Sequence, residues 1–286
     1  MSWWLSFTYF IMQLHDTHAH LDILLEHLEL LDTTSTELSS VSVDKLNALL
    51  VNHNWLIHPT VSLGNYQRVV QLFANSLECQ MYFLLGAHPE IVTSEFELEE
   101  YILNMPTSFP KNVVGIGEIG LDYHYTQDKK IIDKQKQLFR FHIELALTHK
   151  LPIVIHCREA FADLFTILDE YTKIYGNFLI HCFTGNSNDL DNVLTRQGKV
   201  AYGGVVTFKN AQELQQTAIE CPPNSLVLET DLPFLAPTPH RGKTCLPEYI
   251  QQVALKIAEH KNVTVEEIWK FSQQNSEEFF ALSNSQ

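Results

Sequence analysis

The sequence predicts a single α/β domain, a TIM-like (β/α)8 barrel in which eight parallel strands alternate with helices. Short apolar runs alternate with longer segments of helical spacing, and no linker or low-complexity run divides the 286 residues. A doubly wound open sheet is the alternative. Its dinucleotide-binding form is disfavoured because no G-x-G-x-x-G turn follows any of the predicted strands.

The elements of the barrel follow from the apolar runs and their spacing. Short apolar runs predict eight strands, at 13–17, 55–60, 81–87, 113–118, 153–156, 178–181, 200–203 and 226–230. Apolar residues at helical spacing are clearest at 129–150, 160–174 and 247–260. Residues 23–50 are rich in Leu, Ser, Thr and Glu, and they predict a long loop with one or two helices.

The charge of the chain limits its partners. The sequence carries 19 Lys and Arg residues against 34 Asp and Glu, a formal net charge of −15. A protein that binds long duplex DNA needs a broad basic surface, so no stable duplex binding is expected. A phosphate-bearing substrate stays open, because bound divalent cations supply local positive charge.

The cysteines and the N-terminal residues bear on location and on the extent of the domain. Five cysteines form no CxxC pair, a pattern that favours reduced thiols in a cytoplasmic protein. Residues 1–11 are apolar, lack signal-peptide features and are too short to span a bilayer, so no membrane association is expected. Because Met12 precedes the first motif, we interpret 1–11 as an N-terminal extension or a misassigned start, and 12–286 as the barrel.

Metal-binding residue types recur at the ends of the predicted strands. The six residues at or just after these ends are His18, His20, Glu118, His156, His181 and Asp231. In a barrel those ends converge on one mouth, where such enzymes carry out their chemistry. Imidazoles and carboxylates are suitable ligands for zinc, manganese, iron or magnesium. The recurrence indicates a metal site much more specifically than any pair of these residues alone.

Individual positions indicate separate roles. His18 and His20 lie at i and i+2 on one side of an extended segment, so both imidazoles can reach one cation. Glu118 closes an apolar strand, and a charge buried there needs a partner. Two cations bridged by this carboxylate would provide one. Asp231 ends the last strand and can both hold a metal and take the proton from bound water. Two aspartates flank the histidine pair, at 16 and 22, and either orient the imidazoles or cap turns.

Ordered sequence blocks carry a resemblance to a known family. The blocks are DTHAHLD (16–22), GAHPE (86–90), GEIGLDY (117–123), LPIVIHCREA (151–160), HCFTG (181–185), GGVVTFKNA (203–211) and ETDLPFLAPTPHRGK (229–243). From about residue 12 to the C-terminus the chain resembles the TatD-type metal-dependent deoxyribonucleases of the amidohydrolase superfamily. The resemblance implies a barrel of the metal-dependent hydrolase type with two or three divalent metal ions, of which Mg, Mn and Zn are the candidates.

The resemblance also implies a role for each site residue. It assigns the two histidines of the first block to one metal, His156 and His181 to the second, and Glu118 to the bridge between them. Asp231 would be both a ligand and the general base. Arg158 falls where the family places a phosphate-binding arginine.

Arg158 has an alternative structural role, in an ion pair with Glu159 or Asp163. Phosphate binding is favoured, because a guanidinium group matches phosphate oxygens and the residue lies at the predicted mouth.

Some positions depart from the family pattern. Glu90 stands where many members carry histidine, and Cys245 replaces the usual asparagine after RGK. Residues 23–50 also match poorly, so substrate preference is in doubt. His88 and His240 are expected to line the mouth.

The predicted function is exonucleolytic hydrolysis at DNA ends or in single strands, by metal-activated water, in a monomer. An amidohydrolase-type enzyme acting on a small phosphoester, lactone or amide is the first alternative. Arg158 and the HRGK run at 240–243 favour phosphate over a neutral amide. A non-catalytic binding module with a vestigial metal site is the second alternative, and the retention of all six candidate ligands disfavours it. The metal, the natural substrate and the cleavage polarity stay open.

Overall fold

The computed structural model describes residues 13–282, and its centre is a sheet of eight parallel strands. These are β1 (Leu14–Asp16), β2 (His53–Pro59), β3 (Gln80–Leu85), β4 (Val113–Asp122), β5 (Ile153–Arg158), β6 (Phe178–Ile180), β7 (Lys199–Tyr202) and β8 (Leu226–Leu228). Each strand pairs with the next one along the chain, from β1 to β8. The predicted extension or misassigned start at 1–11 lies outside the described residues.

Helices follow most of the strands along the chain. They are α1 (Leu21–His27), α2 (Ser40–Leu49), α3 (Leu63–Phe73), α4 (Leu98–Leu103), α5 (Lys129–His149), α6 (Phe161–Glu170), α7 (Ser187–Thr195), α8 (Gln212–Glu220), α9 (Ile250–Lys261) and α10 (Val265–Phe279). Residues 23–50 contain a loop and two helices, as predicted. Within residues 13–282, no helix is both long and apolar enough to cross a bilayer.

The sheet returns on itself between its last and first strands. Just beyond β8 and β1, Leu232 and Ala19 form a parallel bridge. The N–H of Asp231 donates to the carbonyl oxygen of His18 at 2.9 Å, and the N–H of His20 donates to that of Leu232 at 2.9 Å. The sheet is thus a nearly closed barrel, which confirms the predicted (β/α)8 fold and excludes the open sheet.

Alternate strand residues fill the interior of the barrel. One buried cluster draws on seven consecutive strands and includes Ile57, Leu84, Val114, Val154, Leu179, Ala201 and Val227. Side chains at i and i+2 of a strand share a face, so the residues two positions beyond Val154 and Leu179 also point inward. These residues are His156 and His181. At the carboxyl ends of the strands, the inward-facing side chains therefore change from aliphatic to imidazole within two residues.

Strand boundaries differ from the prediction where side chains or neighbouring strands set them. β4 continues to Asp122 instead of ending at 118, because its last residues pair with β5. β8 ends at Leu228, and beyond it the N–H of Thr230 donates to the Asp16 carboxylate at 3.1 Å. The helices predicted at 160–174 and 247–260 each include a 3-10 turn, Thr172–Ile174 after α6 and Pro247–Tyr249 before α9.

A buried histidine on α5 makes the stability of the fold depend on pH. His142 is fully buried, and its Nε2 lies 2.9 Å from the hydroxyl of Tyr101. Burial lowers the pKa of His142 from 6.5 to about 3. Between these values the unfolded chain binds more protons than the folded one. The stability that is present above pH 6.5 is therefore lost as the pH falls towards 3.

Replacing His142 with glutamine should flatten this dependence. Between pH 6.5 and 4.5, we expect the free energy of unfolding of the parent to fall by about 2 kcal/mol more than that of the variant. Urea denaturation at a series of pH values measures the difference. The control is His149→Gln on the same helix, at a partly exposed position, which should keep the parent slope. Equal slopes for His142→Gln and the parent would contradict the prediction.

Candidate metal centre

The carboxyl ends of the strands surround a cavity of about 670 Å³. Its lining includes His20, Glu118, His156, Arg158, His181 and Asp231. His18 is fully buried, and its ring stacks on that of His181 with 3.9 Å between centroids. The structure therefore brings the six predicted metal ligands together and places Arg158 in the lining of the same cavity.

Glu118 lies at the centre of this cluster, and its two oxygens face different histidines. Oε2 lies 3.2 Å from His18 Nε2 and 3.8 Å from His20 Nε2. Oε1 lies 2.7 Å from His181 Nε2 and 3.0 Å from His156 Nδ1. One carboxylate can therefore serve two neighbouring ligand sets, as a bridging ligand must.

Asp231 belongs to the same half of the site as the first histidine pair. Its Oδ1 lies 3.8 Å from His18 Nε2 and 3.7 Å from His20 Nε2. Its backbone has φ of 57°, a left-handed conformation that residues other than glycine rarely adopt. Such strain persists where the surroundings fix it, and here the hydrogen bond to His18 holds the backbone in place.

In both histidines of the second pair, the ring nitrogen that does not face Glu118 lies near another carboxylate. His156 Nε2 contacts Asp122 Oδ2 at 2.9 Å, which leaves Nδ1 to face Glu118. His181 Nδ1 lies 3.7 Å from Glu229, a fully buried residue. A carboxylate behind a metal-ligating imidazole fixes the ring orientation and its tautomer.

Sequence reasoning missed Asp122 and Glu229, for different reasons. Asp122 is the last residue of β4 as the structure has it, so the strand-end pattern would have found it had the strand length been known. Glu229 lies two residues before Asp231, and only its position in the ETD run marks it.

The remaining candidate histidines divide between the site and the surface. His88 lines the cavity as predicted, and its Nε2 lies 3.3 Å from Glu118 Oε1. It is therefore a further candidate ligand, beyond the role that the sequence indicated. The prediction for His240 is wrong, because it is not among the residues that line the cavity; its ring stacks on that of Tyr249 with 4.0 Å between centroids.

The two aspartates that flank the histidine pair stabilise the chain around it. Asp16 accepts hydrogen bonds from the N–H groups of His18 and Thr230, at 3.0 and 3.1 Å. Asp22 contacts His58 Nε2 at 3.1 Å. Their hydrogen bonds go to these groups and not to the imidazoles of the first pair, so the structure favours the structural role for both.

Burial and mutual charge set the protonation of the cluster. Burial lowers the pKa of His18 well below its usual value and that of His20 to about 4, so both rings are neutral. Burial would raise the pKa of Glu118, but the surrounding imidazoles outweigh it and hold this pKa well below its usual value. Burial raises the pKa of Asp231, and the nearby negative charge of Glu118 raises it further. Burial would lower the pKa of His181, but the charge of Glu118 outweighs it and raises this pKa well above its usual value. Because neutral imidazoles and carboxylates are the forms that ligate metal, a cation that binds His181 would displace a proton from its ring.

The donor set fits divalent cations. Among the described residues, neither ring nitrogen of His18 has a hydrogen-bond partner, although a buried polar atom without one costs about 1–3 kcal/mol. Three groups bring one ligand atom per residue to within 4.8 Å of one another: His18, His20 and Asp231; His18, Glu118 and His181; and His88, Glu118 and His156. Nitrogen and carboxylate oxygen ligands of this kind accept zinc, manganese and magnesium.

Arg158 provides the positive side chain of the cavity. In the described part of the chain it is the only Lys or Arg that lines this space. Its Nη1 donates to the hydroxyl of Tyr125 at 3.2 Å. Glu159 and Asp163 are paired with other side chains, so the ion pairs that the sequence left open are not formed with Arg158.

Comparison with known proteins identifies the family. The sequence profile of the family described as "TatD related DNase" matches residues 15–281. The chain belongs to the TatD family. The metal-dependent hydrolase YabD of Bacillus subtilis (strain 168) is 35% identical over 271 residues, which cover 94% of this chain and 100% of YabD. The metal-dependent hydrolase YcfH of Escherichia coli (strain K12) is 34% identical over 203 residues, 71% of this chain and 75% of YcfH.

Solved structures show the same fold. The TatD homologue YjjV of Escherichia coli K12 superimposes with a TM-score of 0.76 at 24% identity, covering 95% of this chain and 99% of the other. A TatD-family hydrolase from Entamoeba histolytica gives a TM-score of 0.72 at 21% identity, covering 94% and 98%. The TatD-family protein described here is thus a metal-dependent hydrolase with a TIM-barrel fold, as the sequence blocks predicted.

Proposed function

We propose that this TatD-family hydrolase is a deoxyribonuclease that cleaves phosphodiester bonds at DNA ends or in single strands. The observation that carries the proposal is the place of Arg158, the one guanidinium among the described residues that line the cavity, beside four imidazoles and four carboxylates. A guanidinium fork binds phosphate oxygens, whereas neutral lactones and amides offer it no matching charge. The family description as a DNase supports the same reaction.

The two halves of the site would each hold a divalent cation. His18, His20 and Asp231 would ligate the cation on the Oε2 side of Glu118, and the second histidine pair the cation on the Oε1 side. Bound there, divalent cations lower the pKa of a water molecule and neutralise phosphate charge. His88 is the further ligand that a third ion, or an enlarged second site, would use.

The side chains would divide the remaining chemistry. Asp231 accepts the proton as a water oxygen forms a bond to phosphorus and the bond to the leaving oxygen breaks. Arg158 binds a phosphate oxygen and stabilises the charge that develops there. Tyr125 holds the guanidinium group of Arg158 at the cavity edge through its hydroxyl.

Charge favours ends and single strands over long duplexes. The chain has a formal net charge of −15, and one cationic side chain lines the cavity in the described part of the molecule. Duplex affinity rises with the number of phosphates that Lys and Arg neutralise, so a long duplex footprint gains little here. A short substrate that places one phosphate beside Arg158 avoids this cost.

The decisive experiment uses single-stranded DNA labelled at the 5′ or the 3′ end, with and without a chelator. We expect products in the presence of Mg, Mn or Zn, none with excess chelator, and recovery when metal is restored. The label that is lost first gives the polarity. A matched duplex should be cleaved more slowly than the single strand.

The same assay separates the two alternatives. Turnover of lactones or amides without any DNA product would identify an amidohydrolase acting on small molecules. Elemental analysis that finds no bound or recruitable ion, together with the absence of turnover, would identify a binding module with a vestigial site. Either result would overturn the deoxyribonuclease proposal.

A further inference from the structure

A second cavity of about 490 Å³ lies directly beside the candidate metal centre. The two cavities share three lining residues, Glu90, Asp122 and Tyr125. The walls of the second cavity come from the loop after β3, the end of β4 and the first turns of α5. A substrate group attached to a phosphate in the first cavity therefore has a second, open cavity within reach.

Two polar side chains that line the second cavity, Gln135 and Asp122, are bonded to neighbouring groups. The side-chain amide of Gln135 is already bonded to the backbone of Asp122 and of Pro89. The carboxylate of Asp122 contacts the N–H of His124 and the ring of His156. These hydrogen bonds fix the positions of both side chains, so neither has to bond to a ligand in the cavity.

The walls of the second cavity combine apolar side chains with hydroxyl groups, and no described residue gives them a positive charge. Val92 and Ile131 line the second cavity, and within residues 13–282 no Lys or Arg does. The single guanidinium of the neighbouring cavity belongs to Arg158. A phosphate is therefore favoured in the first cavity and disfavoured in the second, which suits an uncharged group instead.

Tyr125 presents an aromatic surface between the two cavities. It is 68% exposed, although the guanidinium of Arg158 lies over its ring at 5.1 Å from the centroid. The other exposed aromatic side chain of the described residues, Phe234, also lines the first cavity. Proteins that bind unpaired nucleotides use such exposed rings to stack bases.

Glu90 supplies a hydrogen-bond acceptor at the rim. Its side chain is 51% exposed, and its nearest basic partner is His88, whose Nδ1 lies 3.7 Å away. A carboxylate accepts readily from the exocyclic amino group of cytosine, adenine or guanine. Thymine has only one N–H on that edge, between two carbonyl oxygens that a carboxylate repels.

We propose that the second cavity binds the nucleobase next to the scissile phosphodiester, with Tyr125 as a stacking surface and Glu90 as the acceptor that favours amino-bearing bases over thymine. This proposal rests on the phosphodiesterase function proposed above. It assigns a specificity role to Glu90, which occupies a position where the family pattern has histidine.

The first test measures kcat/KM for single-stranded oligo-dC and oligo-dT with the metal-loaded enzyme. We expect oligo-dC to be preferred by about fivefold, and Glu90→Ala to bring the ratio close to one. An oligonucleotide of the same length with abasic sites is the matched control substrate, because any loss of its turnover in Glu90→Ala measures an effect through His88 and not through the base. A preference that survives Glu90→Ala, or no preference in the parent, would overturn the acceptor role.

Two substitutions separate stacking from the contact that Tyr125 makes with Arg158. Tyr125→Phe keeps the ring and loses the hydroxyl bond, whereas Tyr125→Leu loses both. We expect Tyr125→Leu to lower kcat/KM for oligo-dC by about tenfold, mainly through KM, and Tyr125→Phe to retain most of it. The guanidinium of Arg158 also lies over the Tyr125 ring, 5.1 Å from its centroid, so the abasic oligonucleotide is again the control substrate. An equal loss in both variants, or a loss for Tyr125→Leu that is as large on the abasic oligonucleotide, would show that Tyr125 acts through Arg158 and would overturn the stacking role.

A binding experiment distinguishes failure of this proposal from failure of the proposed function. Calorimetric titration of the metal-loaded protein with deoxycytidine and with thymidine needs no turnover. We expect deoxycytidine to bind about fivefold more tightly, and Glu90→Ala to remove the difference. Selective binding without hydrolysis of any oligonucleotide would support the nucleobase site and contradict the proposed deoxyribonuclease function. Hydrolysis without selective binding would support the deoxyribonuclease function and contradict the nucleobase site.

Discussion

Replacing Glu118 with glutamine is expected to lower kcat on single-stranded DNA by about 10³-fold and to reduce the number of metal ions bound per chain. The two oxygens of Glu118 face different histidine pairs, at 3.2 Å from His18 Nε2 and 2.7 Å from His181 Nε2. A glutamine side chain is neutral and places one oxygen and one NH₂ group where the carboxylate has two oxygens. It can therefore serve one ligand set at most.

Elemental analysis of the purified variant, together with steady-state kinetics, measures both effects. Glu213→Gln is the matched control, because it makes the same chemical change at an exposed position on α8. That control should keep the parent metal content and the parent kcat. A Glu118→Gln enzyme with full metal content and full activity would show that this carboxylate is not the bridge.

Much of the site could be predicted from sequence because strand ends and side-chain alternation fix it. His156 and His181 each stand two residues beyond a buried aliphatic residue, so their direction follows from the strand repeat alone. The end of β4 could not be predicted in this way. Its last residues pair with β5, and Gly120 has φ of 139° close to the backbone of His156. Since apolar periodicity does not report such pairing, Asp122 was not recognised.

The rest of the mouth depends on residues that are distant in the chain. His88 follows β3 in a loop, and its 3.3 Å approach to Glu118 Oε1 is set by how that loop packs against β4. The second cavity needs the same loop, the end of β4 and the start of α5 to meet. No local pattern carries that information, so the sequence marked Glu90 as unusual without indicating what it faces.

Replacing Asp231 with asparagine should separate ligation from proton transfer. The amide keeps an oxygen that can still ligate metal, but it cannot take the proton from the attacking water. We expect kcat to fall by about 10²- to 10⁴-fold while KM and the metal content change little. Steady-state kinetics and elemental analysis on the same preparation measure these quantities.

Asp191→Asn, at an exposed position on α7, is the matched control for Asp231→Asn and should behave as the parent. Full metal-dependent activity in Asp231→Asn would show that another group accepts the proton. The two site variants are also informative as a pair. If Glu118→Gln loses metal while Asp231→Asn retains it, the central carboxylate builds the site and the last strand supplies the base. If both lose metal equally, Asp231 is a ligand that the site needs in order to hold its metal.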